Sequence, residues 1–583
     1  MTQTLQQISE KLTAQLQAGQ FSAAAKLAKR AVKKFPREAH FATIAGTALA
    51  SADQGREAFQ YFLKAVKLEP NHEEYQNNLV HAYIVVGRHD KAEALANQLL
   101  ARRKDPSKLC HLLAFSAELT AQPDKVIAAA TRGLDTAREY RANLLVMRGD
   151  AYAIQENHDL AEADYQTLLN EVPNHPIATE KLTQLYLDTF RSDLARQTLA
   201  APLKANPDDT HLLIAQADVY LALGQVDEAK ITLTRSHQLA PDTIAPLTKL
   251  AGIATPDERP SLILDAEKML TMHAKGTDSW CRLCMALGNL YFAEKDHKAA
   301  GKYLAKAKAG LAYLFVHHPE NEARAFEDTL QVTPAGPAVL TSALAGRPRP
   351  LFVVGQPRSG TTLTEMILSA HPDVTSCGEL SAVPRAYRKI QDQGGAFDPA
   401  LFAETFYKSL PAHAANASAI VDKMPANYRY IGAMLHGIPG AKIIHIERDP
   451  REVALSMWRQ HFKSEWMRFT NDLRHIALQA NLYRRYMNHW ASEFEGQFLT
   501  IHYQDLVSDV EKYSKDMAAF CDLDWVPEMM APQKNRAQVR TASVTQVRQG
   551  VHKKSVGGWR VMEEQLQPFI RNLDKSLWPE LDL

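Results

Sequence analysis

The sequence predicts two folds in one chain: an all-α solenoid of helical hairpins, then an α/β domain with a parallel central sheet. Three observations predict this. Prolines recur at a fixed interval through the first half. A short apolar run, Leu351-Phe-Val-Val354, leads straight into a glycine loop and then into apolar residues at helical spacing. A second apolar run, Ala441-Lys-Ile-Ile-His-Ile-Glu447, is followed by an arginine and by Pro450, which suits a first helical turn.

The repeats come first along the chain. Pro36 to Pro70, Pro173 to Pro207 and Pro207 to Pro241 are each 34 residues apart, the period of the helix–turn–helix tetratricopeptide unit. Counted from Thr210, Ala217 falls at unit position 8, Tyr220 at 11, Gly224 at 15, Ala229 at 20 and Pro241 at 32. Units beginning at Ala39, Ala142 and Cys281 repeat the pattern through Gly46, Gly149 and Gly288, and through Ala58, Ala161 and Ala300. Small residues at positions 8 and 20 let the two helices of a unit approach, and the terminal proline stops the second helix. A single unit cannot bury its own face, so stacking is required. Units near residues 107–139 and 244–275 are degenerate, and Pro202 is expected to kink or shorten its helix. These residues resemble the tetratricopeptide family. The resemblance implies a concave groove that holds a peptide or a protein partner. The alternative is a scaffold that only supports or dimerises the enzyme.

Size and composition set the frame. At 583 residues the chain is too long for one core. Residues 1–310 are assigned to the repeat array, 311–350 to a connector with two proline-rich clusters, and 351–583 to the α/β domain. The net charge of +1 gives no global field for nucleic acid or an anionic membrane. The N-terminus has no apolar h-region and no stretch approaches a membrane span, so neither a signal peptide nor a transmembrane segment is expected, and the location is read as cytoplasmic. Five cysteines make no disulfide scaffold; Cys281 and Cys284 read as core thiols, with a metal or redox site as the lesser alternative. No His/Cys/Asp ligand set suggests a metal. A homo-oligomer is compatible with the sequence but is not read from it.

Gly355-Gln-Pro-Arg-Ser-Gly-Thr-Thr362 sits between a strand and a helix, where backbone N–H groups and a helix N-terminus cradle phosphate. Nucleotide-hydrolysing loops of this spacing carry lysine after the second glycine, and here the residue is Thr361. That counts against a kinase or ATPase. Arg358 supplies positive charge from within the loop, and Ser359, Thr361 and Thr362 can donate hydrogen bonds. A plain glycine turn is the bland reading. Pro357-Arg-Ser-Gly-Thr-Thr-Leu363 resembles the 5′-phosphosulfate loop of the sulfotransferases. It is most similar to the branch of the tyrosylprotein sulfotransferases and bacterial repeat-containing relatives, as are Ala370-His-Pro-Asp-Val374 and Cys377-Gly-Glu-Leu380. The fold implied is a P-loop-like sulfotransferase domain.

Arg448 at a strand end and Ser456 eight residues on could clamp a second phosphate. They match the family's 3′-phosphate motif. Two anion sites on one sheet suit 3′-phosphoadenosine 5′-phosphosulfate, which carries anionic groups at both ends. The resemblance further implies Tyr503, in Phe498–Leu506, beside the adenine, with core packing as the alternative. It also implies Ser543, Lys554 and Ser555 as phosphate contacts in a C-terminal covering segment. Lys423, in Val421-Asp-Lys-Met-Pro425, is similar to a family lysine that contacts the bridging oxygen.

Sulfuryl transfer is in-line displacement at sulfur, so cations at the bridging oxygen and a base for the acceptor proton are the chemical requirements. Arg358 and Lys423 are the candidate cations. Glu379 is the candidate base, although the tyrosylprotein enzymes use the second of two glutamates and Leu380 stands there; His371 is a weaker candidate. The expected activity is sulfuryl transfer to a hydroxyl or amine of a peptide, saccharide or small molecule, with a protein tyrosine among the acceptors. A P-loop kinase or hydrolase and a non-catalytic repeat protein are the alternatives.

Overall fold

The computed structural model describes residues 5–582 apart from 53, 104, 137–138, 335, 337, 339–343, 395, 463, 536–550 and 552–555. It forms two compact units, Met1–Leu185 and Tyr186–Leu583. Among the described residues nineteen helices precede the first strand. The first eighteen follow one another as nine hairpins, in keeping with the 34-residue period, and Pro319–Val332 comes after them.

In the first unit, Ala39–Ala50 packs on Gly55–Leu68 and Arg141–Ile154 on His158–Glu171. A methyl added to Gly46 would lie 2.7 Å from the Phe62 ring, and one on Gly149 would lie 2.5 Å from Tyr165. Position 8 is therefore small because position 24 of the same unit is large. In the second unit Asp278–Ala293 and His297–Leu314 repeat this contact through Gly288 and Leu304. Ala58, Ala161, Ala229 and Ala300 at position 20 are all buried.

The turn inside each hairpin has its own signature. Gly19, Gly87, Ala121, Glu156, Phe190, Gly224 and Lys295 all have φ between +53° and +78°. Seven of the units thus close their first helix with one left-handed residue. Such a conformation costs a side-chain-bearing residue roughly 1–2 kcal/mol, and a bulky one is an outlier. Pro202 does not shorten its helix: Ser192–Ala205 runs its full 14 residues through it. Cys281 and Cys284 are buried free thiols, pushed up by burial to about 11 and about 12, as core thiols should be.

The α/β part of the second unit has five strands: β1 (Arg349–Gly355), β2 (Val374–Ser376), β3 (Ala419–Asp422), β4 (Lys442–Glu447) and β5 (Leu499–His502). Their order is β2-β3-β1-β4-β5, and every pair is parallel. β1 is apolar on both faces because both faces are covered. Phe352 and Val354 join a core with Ile443, Met434 and Trp490; Leu351 and Val353 join another with Ile444, Leu363 and Ile367. The run Phe498–Leu506 is strand only to His502. Tyr503–Leu506 is a helical turn whose Tyr503 carbonyl accepts the Val507 N–H at 3.0 Å.

Candidate active site

A parallel sheet puts all its strand carboxyl ends along one edge, the usual ligand side. Here each end delivers a residue singled out by the sequence: β1 the loop to Gly360, β2 the segment to Glu379, β3 Lys423, β4 Arg448 and β5 Tyr503. Helix α1 (Thr361–Leu368) follows the β1 loop, and α2 (Pro450–Trp458) follows β4.

The loop turns on two left-handed residues, Arg358 (φ 73°) and Gly360 (φ 113°). Gly360 is also where Tyr503 presses closest: an added Cβ would lie 2.8 Å from its Cε2. Ser359 is buried, and its Oγ has no hydrogen-bond partner among the described residues. An orphaned hydroxyl between two left-handed residues, at the N-terminus of α1, fits an anionic oxygen. Thr361 and Thr362 open α1 and are buried, and Pro357 is half-buried on the loop. The Leu363 side chain packs in the core, so only its backbone faces the loop's chemistry.

The second motif lies directly against the first. Arg358 Nε donates to Ser456 Oγ at 2.9 Å, and Arg448 Nη1 donates to the Arg358 carbonyl at 3.2 Å. Glu452 holds Arg448 by accepting from its Nε at 2.8 Å, and also accepts the Gly557 N–H. The Arg448 guanidinium stacks over Tyr503, 4.3 Å from the ring centroid. Burial, with the Arg448 charge adding to it, pushes Arg358 down to about 10. A pair of confined cations with an unused buried hydroxyl suits an anion at both motifs. Ser543, Lys554 and Ser555 lie outside the described residues.

Lys423 is fully buried, not a surface lysine, and its Nζ donates to Glu379 Oε1 at 2.5 Å. Glu379 remains partly exposed, 40% for its side chain, so an acceptor can reach it. His371 is spent on structure: its Nε2 meets the Asp524 carbonyl at 2.9 Å and its Nδ1 accepts the Asp373 N–H.

Two acids here were not singled out by the sequence. Glu365, inside α1, lies 3.9 Å from Lys423 and accepts from Ser376 Oγ at 2.7 Å. Its burial raises its pKa, against the pull of Lys423. Asp422 is pushed up to about 8 by burial, while the Leu380 N–H at 3.3 Å opposes the shift. A lone glutamate on an apolar helix is the only sequence signal Glu365 offered. Arg459 was missed as well. It follows α2, is pushed down to about 10 by burial and by Arg358, and is held by Asn289 Oδ1 at 3.1 Å.

Residues 350–527 match the sulfotransferase family, and residues 10–73 and 282–309 match tetratricopeptide repeats. The chain thus holds segments similar to tetratricopeptide repeats ahead of a segment similar to the sulfotransferase family. An uncharacterised protein of Aquifex aeolicus is 29% identical over 72% of this chain and 57% of its own length. Protein-tyrosine sulfotransferase 1 of Danio rerio is 24% identical over 30% of this chain and 53% of its own length. The chain thus spans little more than half of either relative. The sulfotransferase domain of a Synechococcus olefin synthase aligns over 40% of this chain and all of its own, at 19% identity and a TM-score of 0.29. Among the described residues no helix is long and apolar enough to cross a membrane.

Proposed function

We propose that this chain is a sulfotransferase that moves the sulfuryl group of 3′-phosphoadenosine 5′-phosphosulfate to a hydroxyl or amine. The observation that carries the reading is Arg358. Its guanidinium bonds Ser456, and its carbonyl receives Arg448. The 5′ and 3′ motifs are thereby one continuous surface of the right charge, suited to a nucleotide anionic at both ends. That donor supplies an activated sulfuryl group on its 5′-phosphate.

The residues divide the work. The loop Pro357–Leu363 and the N-terminus of α1 bind the 5′ end; Arg448 and Ser456 bind the 3′-phosphate; Tyr503, beneath Arg448, flanks the adenine. Ser543, Lys554 and Ser555 complete the cover over the nucleotide. Arg358 and Lys423 stabilise charge on the bridging oxygen as the sulfur–oxygen bond breaks and the acceptor–sulfur bond forms. Glu379 takes the acceptor proton. Its bond to Lys423 keeps it aimed. The positive charge comes from side chains, so the chemistry runs without a metal.

Thr361 in place of a phosphate-binding lysine argues against the kinase reading. A protein tyrosine is the favoured acceptor, because a tetratricopeptide array precedes the domain and relatives carry that activity in their names. The division at 1–310, 311–350 and 351–583 follows from this reading. A protein partner would seat in the array, where His89, Glu93, Lys125 and Arg132 line a cleft. Buried thiols such as Cys110 suit the reducing cytoplasm.

The test is transfer of labelled sulfate from the nucleotide donor to cell extract, with identification of the labelled species. Transfer with tight binding of 3′,5′-bisphosphoadenosine is expected. Magnesium-dependent ATP turnover without such binding would overturn the reading. In the same assay Glu379→Gln should cut turnover about a hundredfold or more while nucleotide binding stays within about twofold.

A further inference from the structure

Seven of the hairpins close with one left-handed residue, and these are glycine, alanine, glutamate, lysine and, in one unit, Phe190 (φ 59°). Phenylalanine is poorly suited to that backbone. Its ring, however, has a partner far along the chain. It packs on Gly378, where an added Cβ would lie 3.0 Å from Phe190 Cε2 and nearer still to Cζ. Gly378 is itself left-handed, at φ 63°, and buried. It is the residue immediately before Glu379.

The contact continues into the chemistry. The Gly378 carbonyl accepts the Lys423 N–H at 2.8 Å, and the Cys377 N–H donates to the Val421 carbonyl at 2.9 Å. These bonds fix the segment from the β3 side, and the Phe190 ring covers it from the other. The next side chain along, Glu379, meets Lys423 Nζ at 2.5 Å. His413 adds a second ring, 6.2 Å from Phe190 between centroids, with its Nε2 3.4 Å from the Ser376 carbonyl.

We propose that Phe190, a residue of the repeat array, is a positioning residue for the transfer site: its ring fixes the Gly378 backbone and, through it, the Glu379–Lys423 pair. The array is then a working part of the enzyme and not only a docking module. A strained side chain that holds a reacting pair is a known way for local stability to be given up for geometry. This inference rests on the sulfuryl-transfer reading.

The test uses the full chain with Phe190→Gly and Phe190→Tyr. Four quantities are measured: the melting temperature, the affinity for 3′,5′-bisphosphoadenosine, the KM for the donor, and the initial rate of label transfer to cell extract at saturating donor. Glycine relieves the left-handed backbone but gives up the ring's packing, so the glycine variant should melt within a few degrees of the wild-type temperature. Its nucleotide affinity and donor KM should stay within about twofold, while its rate falls about tenfold or more, as expected for a small misplacement of reacting groups. The tyrosine variant, which keeps the ring, should restore the rate. A glycine variant at wild-type rate would overturn the proposal, as would a rate loss that tracks a lower melting temperature. A wild-type chain that neither binds the nucleotide nor transfers label would instead end the sulfuryl-transfer reading and this inference together.

Discussion

Two lysines of this protein are buried to the same degree and live in opposite surroundings. Lys423, at the end of β3, faces the carboxylates of Glu379 at 2.5 Å and Glu365 at 3.9 Å. Lys308, in the last repeat helix, faces only neutral oxygens: the Gln460 carbonyl at 2.7 Å and Asn471 Oδ1 at 3.5 Å. Burial alone pushes Lys308 down to about 7. Burial of a cation therefore does not define a site. What matters is whether acids meet it, and whether one of them reaches solvent as Glu379 does.

The largest expected effect separates the two. Lys423→Met should lower transfer by about a hundredfold to a thousandfold, the usual range for losing one charge-stabilising group. Lys308→Met should leave the rate within about twofold. Equal losses measured in the labelled-sulfate assay would erase the distinction. Next in size is the proposed anion surface at Arg448. Arg448→Ala removes the proposed phosphate contact and the cation over Tyr503 together, and should weaken 3′,5′-bisphosphoadenosine binding about tenfold to a hundredfold by calorimetry.

The smallest effect sharpens the comparison through pH. A lysine whose folded pKa lies below its unfolded value binds fewer protons folded than unfolded between those two values. Lys308 should therefore make stability rise with pH from about 7 upward, approaching about 1.4 kcal/mol per pH unit at most. Melting curves from pH 7 to 9 should show the rise in the wild-type chain and a flatter line for Lys308→Met. An unchanged slope would mean that Lys308 stays protonated when buried.

The repeats were legible because their packing rule is local: Gly46 against Phe62 and Gly149 against Tyr165 sit within one unit and so recur in the sequence. β1 and β4 were legible as apolar runs covered on both faces. β2 and β3, of three and four residues, are too short to carry a period, and only the residues after them gave them away. The loop and Arg448 were readable because phosphate chemistry restricts both residue type and spacing. Glu365 was not, since its role comes from the distant Lys423. Phe190 was hidden for a similar reason: in sequence it is an ordinary turn position, and Gly378 lies far along the chain. The helical turn at Tyr503 likewise cut short a run that looked extended.

The outermost strands of the sheet, β2 and β5, are its shortest apart from β3, and this brevity has a consequence beyond catalysis. An open sheet margin offers unpaired amide and carbonyl groups on which a stranger's strand can grow, and a margin of three or four residues offers very few. The domain can thus keep an open sheet, with all its strand ends free to carry chemistry, and still give neighbouring molecules little to zip onto.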